Sequence, residues 1–121
     1  MVIGIGTDIL KIQRIRDGLA ESFIFKSFTG KEREAALTHT DPALFFATRF
    51  AGKEAVFKCF GIDGGSIRLN EIEILTADSG VPRVSLFGAL REIAGQKGIT
   101  AIQISLSYDS EYAVAFALAQ G

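Results

Sequence analysis

The sequence predicts one small α+β domain with the element order β-ααα-ββ-α-ββ. Three observations predict it. The opening VIGIGTD alternates Val2, Gly4 and Gly6 with Ile3, Ile5 and Thr7, as a strand does. From residue 9 to residue 60, apolar side chains recur at helical spacing between capping signals. From residue 71 onward, short strand-like runs are separated by turn residues and interrupted once by a helical period. No repeat, low-complexity run or linker divides the chain, so residues 1–121 read as a single domain.

Each element has its own signal. Residues 2–7 read as a strand whose glycines let a neighbour approach closely. Ile9, Ile12, Ile15 and Leu19 predict an amphipathic helix over about 9–21. Thr29 followed by Glu32 fits a capping box, opening a short helix to about residue 37. Asp41 and Pro42 fit an N-cap with proline in the first turn. That helix should run to residue 60 and stop at Gly61. GIDGGS, residues 61–66, reads as a loop. Residues 71–76 and 83–87 read as a hairpin around ADSGVP. Residues 86–97 contain a helix with Leu90, Ile93 and Ala94 inward, ended by Gly98. Residues 101–107 and 112–118 are the last strands, joined by YDSE. In the final strand Tyr112, Val114, Phe116 and Leu118 point one way, and Ala113, Ala115 and Ala117 the other. Neither face is polar, which predicts burial of both, either under helices on two sides or against another subunit.

Composition excludes several classes. A chain of 121 residues with 48% hydrophobic residues is long enough for a core. A formal net charge of −1 gives no case for nucleic acid. No stretch approaches the roughly 20 apolar residues that span a bilayer, so no membrane partner is expected. The N-terminus lacks the pattern of a secretory leader and the single Cys59 has no internal partner, so a cytoplasmic setting is expected.

The chemistry centres on RFAGKEAVFKCFG, residues 49–61. Phe46, Phe50, Phe57 and Phe60 form one helical stripe. Lys53 falls near its middle, Arg49 toward one edge, and Glu54 and Lys58 toward the other. Glu54 and Lys58, four residues apart, read as a solvated ion pair or, joined by Asp8, as part of a metal site. Mg²⁺ is commonly held by one or two carboxylates, with phosphate oxygens and waters completing its shell. Asp8 and Glu54 can supply those carboxylates, and Lys58 lies one turn on, within reach of a phosphate. Gly52 costs ~1 kcal/mol relative to alanine in a helix and marks a close neighbour. His39, the only histidine, reads as an exposed loop residue, and Cys59 as a small core residue. GIGTD lacks GxGxxG spacing, and GIDGGS lacks Gly-Lys-Ser/Thr, so neither is a nucleotide fingerprint.

GIGTDI at 4–9, RFAGKEAVFKCFG at 49–61, NEIEIL at 70–75 and ISLSYDSEYAVA at 104–115 follow in this order. Together they resemble the short holo-[acyl-carrier-protein] synthases, a 4′-phosphopantetheinyl transferase family. The resemblance covers nearly the whole chain. It implies transfer of the 4′-phosphopantetheine arm of coenzyme A to a serine of an acidic apo acyl carrier protein, with release of adenosine 3′,5′-bisphosphate. Asp8 and Glu54 match the family's Mg²⁺ ligands, and Lys58 a lysine on the pyrophosphate. Arg49, Lys53, Lys58, Gly61, Gly64 and Ser107 are the contacts expected for coenzyme A, with Arg49 and Lys53 open also to an interface role. Arg14 matches a position that meets the carrier, and Lys26 is assigned with it. Residues 9–33 hold six basic side chains against three acidic ones, which fits steering of an acidic partner. The family implies a homotrimer with the site between subunits. One departure is Tyr108, which stands where the family often has histidine. A phenol with a pKa near ~10 is a poor base at neutral pH. The alternative reading is therefore a catalytically impaired homologue that binds coenzyme A or a carrier.

Overall fold

The computed structural model describes residues 1–18, 21–63 and 68–121. Strand β1 (Val2–Lys11) is followed by α1 (Ile12–Asp17), α2 (Glu21–Ser27), α3 (Gly30–Leu37) and the long α4 (Pro42–Lys58). A 3₁₀ turn (Leu69–Glu71) leads to β2 (Ile72–Thr76) and β3 (Pro82–Leu86). Helix α5 (Gly88–Gln96) precedes β4 (Ala101–Tyr108) and β5 (Tyr112–Gln120). The strands form an antiparallel sheet in the order β1-β5-β4 and a separate β2-β3 hairpin.

The strand order follows the sequence reading. The differences lie near the N-terminus. β1 runs four residues past the expected strand end, so Ile9 and Asp8 belong to the sheet, paired with Val114 and Ala115. Helix begins only at Ile12, and a further short helix, α2, precedes α3. The capping box is present: Thr29 Oγ1 accepts from Glu32 N at 3.3 Å, and Glu32 Oε1 from Thr29 N at 2.9 Å. Asp41 caps α4 by accepting from Leu44 N at 3.3 Å. α4 ends at Lys58, and Gly61 leaves it with φ +62°, a conformation that favours glycine.

α4 lies across the sheet against a face made of very small residues. Ala113, Ala115, Ala117 and Ala119 of β5 are all buried beneath it. Gly4 and Gly6 of β1 complete that face: a Cβ on Gly4 would strike the Cys59 carbonyl oxygen, and one on Gly6 the Ala55 carbonyl oxygen. Helix backbone therefore sits almost directly on strand backbone. Phe28 and Phe46, both buried with ring centroids 4.7 Å apart, fill the space beside α4. Burial of each such ring is worth about 1.5–3 kcal/mol.

The opposite face of this sheet is open. The described helices cover only one side, so burial of both faces is not met among the described residues. Ile5, Ile9, Val114 and Phe116 stand exposed there at 60%, 66%, 41% and 42%.

Candidate active site

The close approach of α4 to β1 brings Asp8 and Lys58 together. Asp8 points inward from β1, and Lys58 occupies the last turn of α4. Lys58 Nζ lies 3.3 Å from Asp8 Oδ1 and donates to Thr7 O at 2.9 Å. Glu54 stands one turn earlier on the same face of α4 and is half-buried. Burial pushes its carboxyl above the usual range, the negative charge of Asp8 adds to that, and Lys58 pulls it partly back. Asp8, Glu54 and Lys58 therefore share one electrostatic environment. Lys58 makes its ion pair with Asp8, so the simple Glu54–Lys58 helix pair is not what the structure holds.

A half-buried Glu54 carboxyl beside the negative charge of Asp8 suits a hard divalent cation, which would relieve the repulsion. Among the described residues no cluster of three or more His, Cys, Asp or Glu side chains exists. A cation held by Asp8 and Glu54 would thus take the rest of its shell from substrate oxygens and water, as Mg²⁺ commonly does.

Arg49 lies elsewhere on α4, in a cleft of about 290 Å³ lined also by His39, Phe45, Thr48, Ser105 and Tyr108. Its guanidinium carbon sits 4.3 Å from the Phe45 ring centroid. It donates to Thr48 Oγ1 at 3.1 Å and to Thr76 Oγ1 at 2.8 Å, while its buried Nε has no partner. Burial lowers its pKa, with Glu32 opposing. No carboxylate among the described residues pairs with it, so it is a half-buried cation free to meet an anion.

Lys53 requires a correction. It does not face a substrate site. Its side chain has no exposure, and Nζ pairs with Glu32 at 2.7 Å. Its position in the middle of the phenylalanine stripe carries it into the core. Gly61 is exposed just after α4, Ser107 is exposed on β4, and Gly64 lies outside the described residues. Arg14 on α1 and Lys26 on α2 are exposed. Arg16, counted with the basic excess, is paired with Asp41, Nη2 to Oδ2 at 2.7 Å. Sequence reasoning missed the hydroxyls of Thr48 and Thr76 around Arg49. It saw Glu32 only as a cap, although a buried lysine always calls for a partner.

A family model described as the 4′-phosphopantetheinyl transferase superfamily matches residues 4–117. The chain belongs to this superfamily, among the holo-[acyl-carrier-protein] synthases. The holo-[acyl-carrier-protein] synthase of Natranaerobius thermophilus is 40% identical over 121 residues, covering 98% of this chain and 97% of the relative. The holo-[acyl-carrier-protein] synthase structure from Neisseria meningitidis matches at a TM-score of 0.90 and 29% identity over the full length of both chains. The Bacillus anthracis synthase, solved in complex with CoA (3′,5′-ADP), matches at 0.82 and 30% identity over 98% and 96%. Membership in the transferase superfamily implies phosphopantetheine transfer from coenzyme A to an apo carrier. In this chain Asp8 and Lys58 form an ion pair at the α4–β1 contact, and both act electrostatically on Glu54.

Proposed function

We propose that this chain transfers the 4′-phosphopantetheine group of coenzyme A to a serine of an acidic apo acyl carrier protein in a Mg²⁺-dependent reaction, releasing adenosine 3′,5′-bisphosphate. The observation that carries the reading is the convergence of Asp8, Glu54 and Lys58 where α4 meets β1. The carrier serine oxygen loses its proton to water as it bonds to the phosphorus that bears pantetheine, and the bond from that phosphorus to the nucleotide phosphate breaks, leaving adenosine 3′,5′-bisphosphate. Asp8 and Glu54 would hold the cation, which supplies charge neutralisation at the phosphate oxygens. Lys58, fixed by Thr7 O and Asp8, presents an ammonium to the departing phosphate. Arg49, which has no carboxylate partner among the described residues, offers its guanidinium to a further phosphate of coenzyme A. Gly61, Gly64 and Ser107 are assigned to the same ligand.

Arg14 and Lys26 are assigned to carrier docking, since both are exposed cations on the helices that follow β1. The open apolar face of the sheet supports a homotrimer with the site between subunits. No described helix is long and apolar enough to cross a membrane. The buried free Cys59 supports a reducing, cytoplasmic setting.

The test is incubation with coenzyme A, Mg²⁺ and an apo carrier. Mass spectrometry of the carrier should show the gain of one phosphopantetheine arm, lost when the metal is chelated. Absence of that gain with the cognate carrier would overturn the reading.

A further inference from the structure

Lys53 and Glu32 form an ion pair with no exposure to solvent. Lys53 Nζ donates to Glu32 Oε1 at 2.7 Å, to Leu69 O at 3.1 Å, and to Ile72 O. All three donors of the ammonium are used. Glu32 is as fully engaged. Its Oε1 also accepts from Thr29 N, and its Oε2 from Ile74 N, each at 2.9 Å. Thr29 Oγ1 in turn donates to the buried Glu73 at 2.6 Å. One network joins the start of α3, the middle of α4 and the entry to β2.

A buried ion pair adds little net stability, because desolvation offsets the attraction. Apolar side chains of the same volume commonly serve as well. What the pair adds is direction, since hydrogen bonds fix angles that apolar contacts leave loose. The other side of α4 rests on Gly4, Gly6 and the alanines of β5. That smooth face sets the distance of the helix from the sheet, Phe46 and Gly52 pack it through apolar contacts alone, and the directional bonds come from Lys53. Lys53 grips α4 from the side opposite Ala55 and Cys59, which lie over the glycines. Its neighbour in sequence is Glu54. A rotation of about 20° carries a side-chain end about 6 Å from the helix axis through about 2 Å. That is enough to take Glu54 out of register with Asp8.

We propose that the Lys53–Glu32 pair is a positioning element of the active site: it fixes the rotation of α4 and so holds Glu54 in register with Asp8. This rests on the reading that Asp8 and Glu54 share a cation. Neither Lys53 nor Glu32 touches substrate, so both act through the helix.

The test compares the double substitution Glu32→Leu with Lys53→Met, which fills the space without charge, and the single Glu32→Gln, which keeps the shape. For each full-length chain, Mn²⁺ binding is followed by paramagnetic resonance and thermal unfolding is recorded. The Mg²⁺ dependence of turnover is measured with coenzyme A and apo carrier. The double variant leaves Thr29 N, Ile74 N, Leu69 O and Ile72 O without these partners, so its melting temperature should fall well below the parent's while it stays folded at assay temperature. Its Mn²⁺ dissociation constant and its half-saturating Mg²⁺ should both rise about tenfold, as when an outer-shell partner is removed. Glu32→Gln should shift both in the same direction and by less. Parental Mn²⁺ binding and Mg²⁺ dependence in the folded double variant would overturn the proposal. Should the double variant fail to fold, Glu32→Gln decides on the same two readouts. A parent that binds Mn²⁺ but modifies no carrier would sink the proposed function, and the Mn²⁺ shift alone would then decide the positioning role. A parent that binds no Mn²⁺ would overturn it.

Discussion

Lys58 Nζ sits 3.3 Å from Asp8 Oδ1, although the two residues are 50 positions apart in the chain. The contact exists because α4 descends onto a strand face with almost no side chains. It places one cation beside two carboxylates whose charges oppose each other. The arrangement makes Asp8 a control on Glu54. Asp8→Asn removes the second cause of the raised Glu54 pKa and leaves burial, the first. Glu54 should then titrate at lower pH, followed by carbon NMR of its carboxyl. Lys58→Met should move it the other way. Turnover of Asp8→Asn should fall by at least about 100-fold, since a charge-stabilising group is lost. A Glu54 titration unmoved by Asp8→Asn would break the link between the two carboxylates.

Gly6 and Gly52 should answer differently to alanine. A Cβ at Gly6 meets backbone, the Ala55 carbonyl oxygen, and lies 2.9 Å from Lys58 Cβ. Backbone cannot step aside without moving α4. Gly6→Ala should cost about 2–3 kcal/mol and lower turnover by displacing Lys58. A Cβ at Gly52 meets the flexible ends of Ile74, Ile104 and Leu106 at 2.7, 3.0 and 3.1 Å. Those methyls can shift, and alanine gains ~1 kcal/mol of helix propensity. Gly52→Ala should change stability by under about 1 kcal/mol. Chemical denaturation of the two variants checks the contrast, and equal losses would remove it.

How legible these features are in the sequence depends on their range. The close-packing role of Gly4 and Gly6 is readable because glycine in a strand has few other reasons to be there. The caps at Thr29 and Asp41 are local and hold as read. The extent of β1 is not readable: Ile9 also fits a helical period with Ile12 and Ile15, and only pairing with Val114 keeps it in the sheet. Lys53 sits at the centre of an apolar stripe, which marks it as buried. Its partner is 21 residues away, beyond what spacing reveals. Asp8, Glu54 and Lys58 stand out in the sequence as a candidate site only through the motif order. That no carboxylate among the described residues pairs with Arg49 is visible only in three dimensions.

The Arg16–Asp41 clamp should make stability acid-sensitive. Both terminal guanidinium nitrogens, Nη1 and Nη2, engage the carboxylate, at 3.0 and 2.7 Å, and Asp41 also caps α4. The hydrogen bond from Arg16 is the first cause that holds the Asp41 carboxyl below its usual range. A lowered native pKa means the contribution is fully present above the ordinary carboxylate value of about 3.9. It is lost as pH falls through the native value. Asp41→Asn keeps a capping oxygen and removes the charge. The melting temperatures of parent and variant should therefore differ most above about pH 5 and converge as pH falls toward about 2. A difference that grows on acidification would contradict the sign of this linkage.

The open sheet face gives the most direct test of shared assembly. Phe116 and Val114 of β5 and Ile5 and Ile9 of β1 line it without cover from the chain's own helices. An aspartate at Phe116 adds a charge on the solvent side of one chain and leaves the alanine face under α4 untouched. Phe116→Asp should fold, with circular dichroism like the parent, yet sediment as a monomer. If the site lies between subunits, its turnover should fall at least about tenfold at assay concentration, because assembly and activity become linked by mass action. Ala115→Asp, on the same strand but pointing under α4, should instead unfold the chain, since it buries an unpaired charge. A monomeric Phe116→Asp with parental turnover would separate catalysis from assembly, and a parent that sediments as a monomer would remove the open face as an interface.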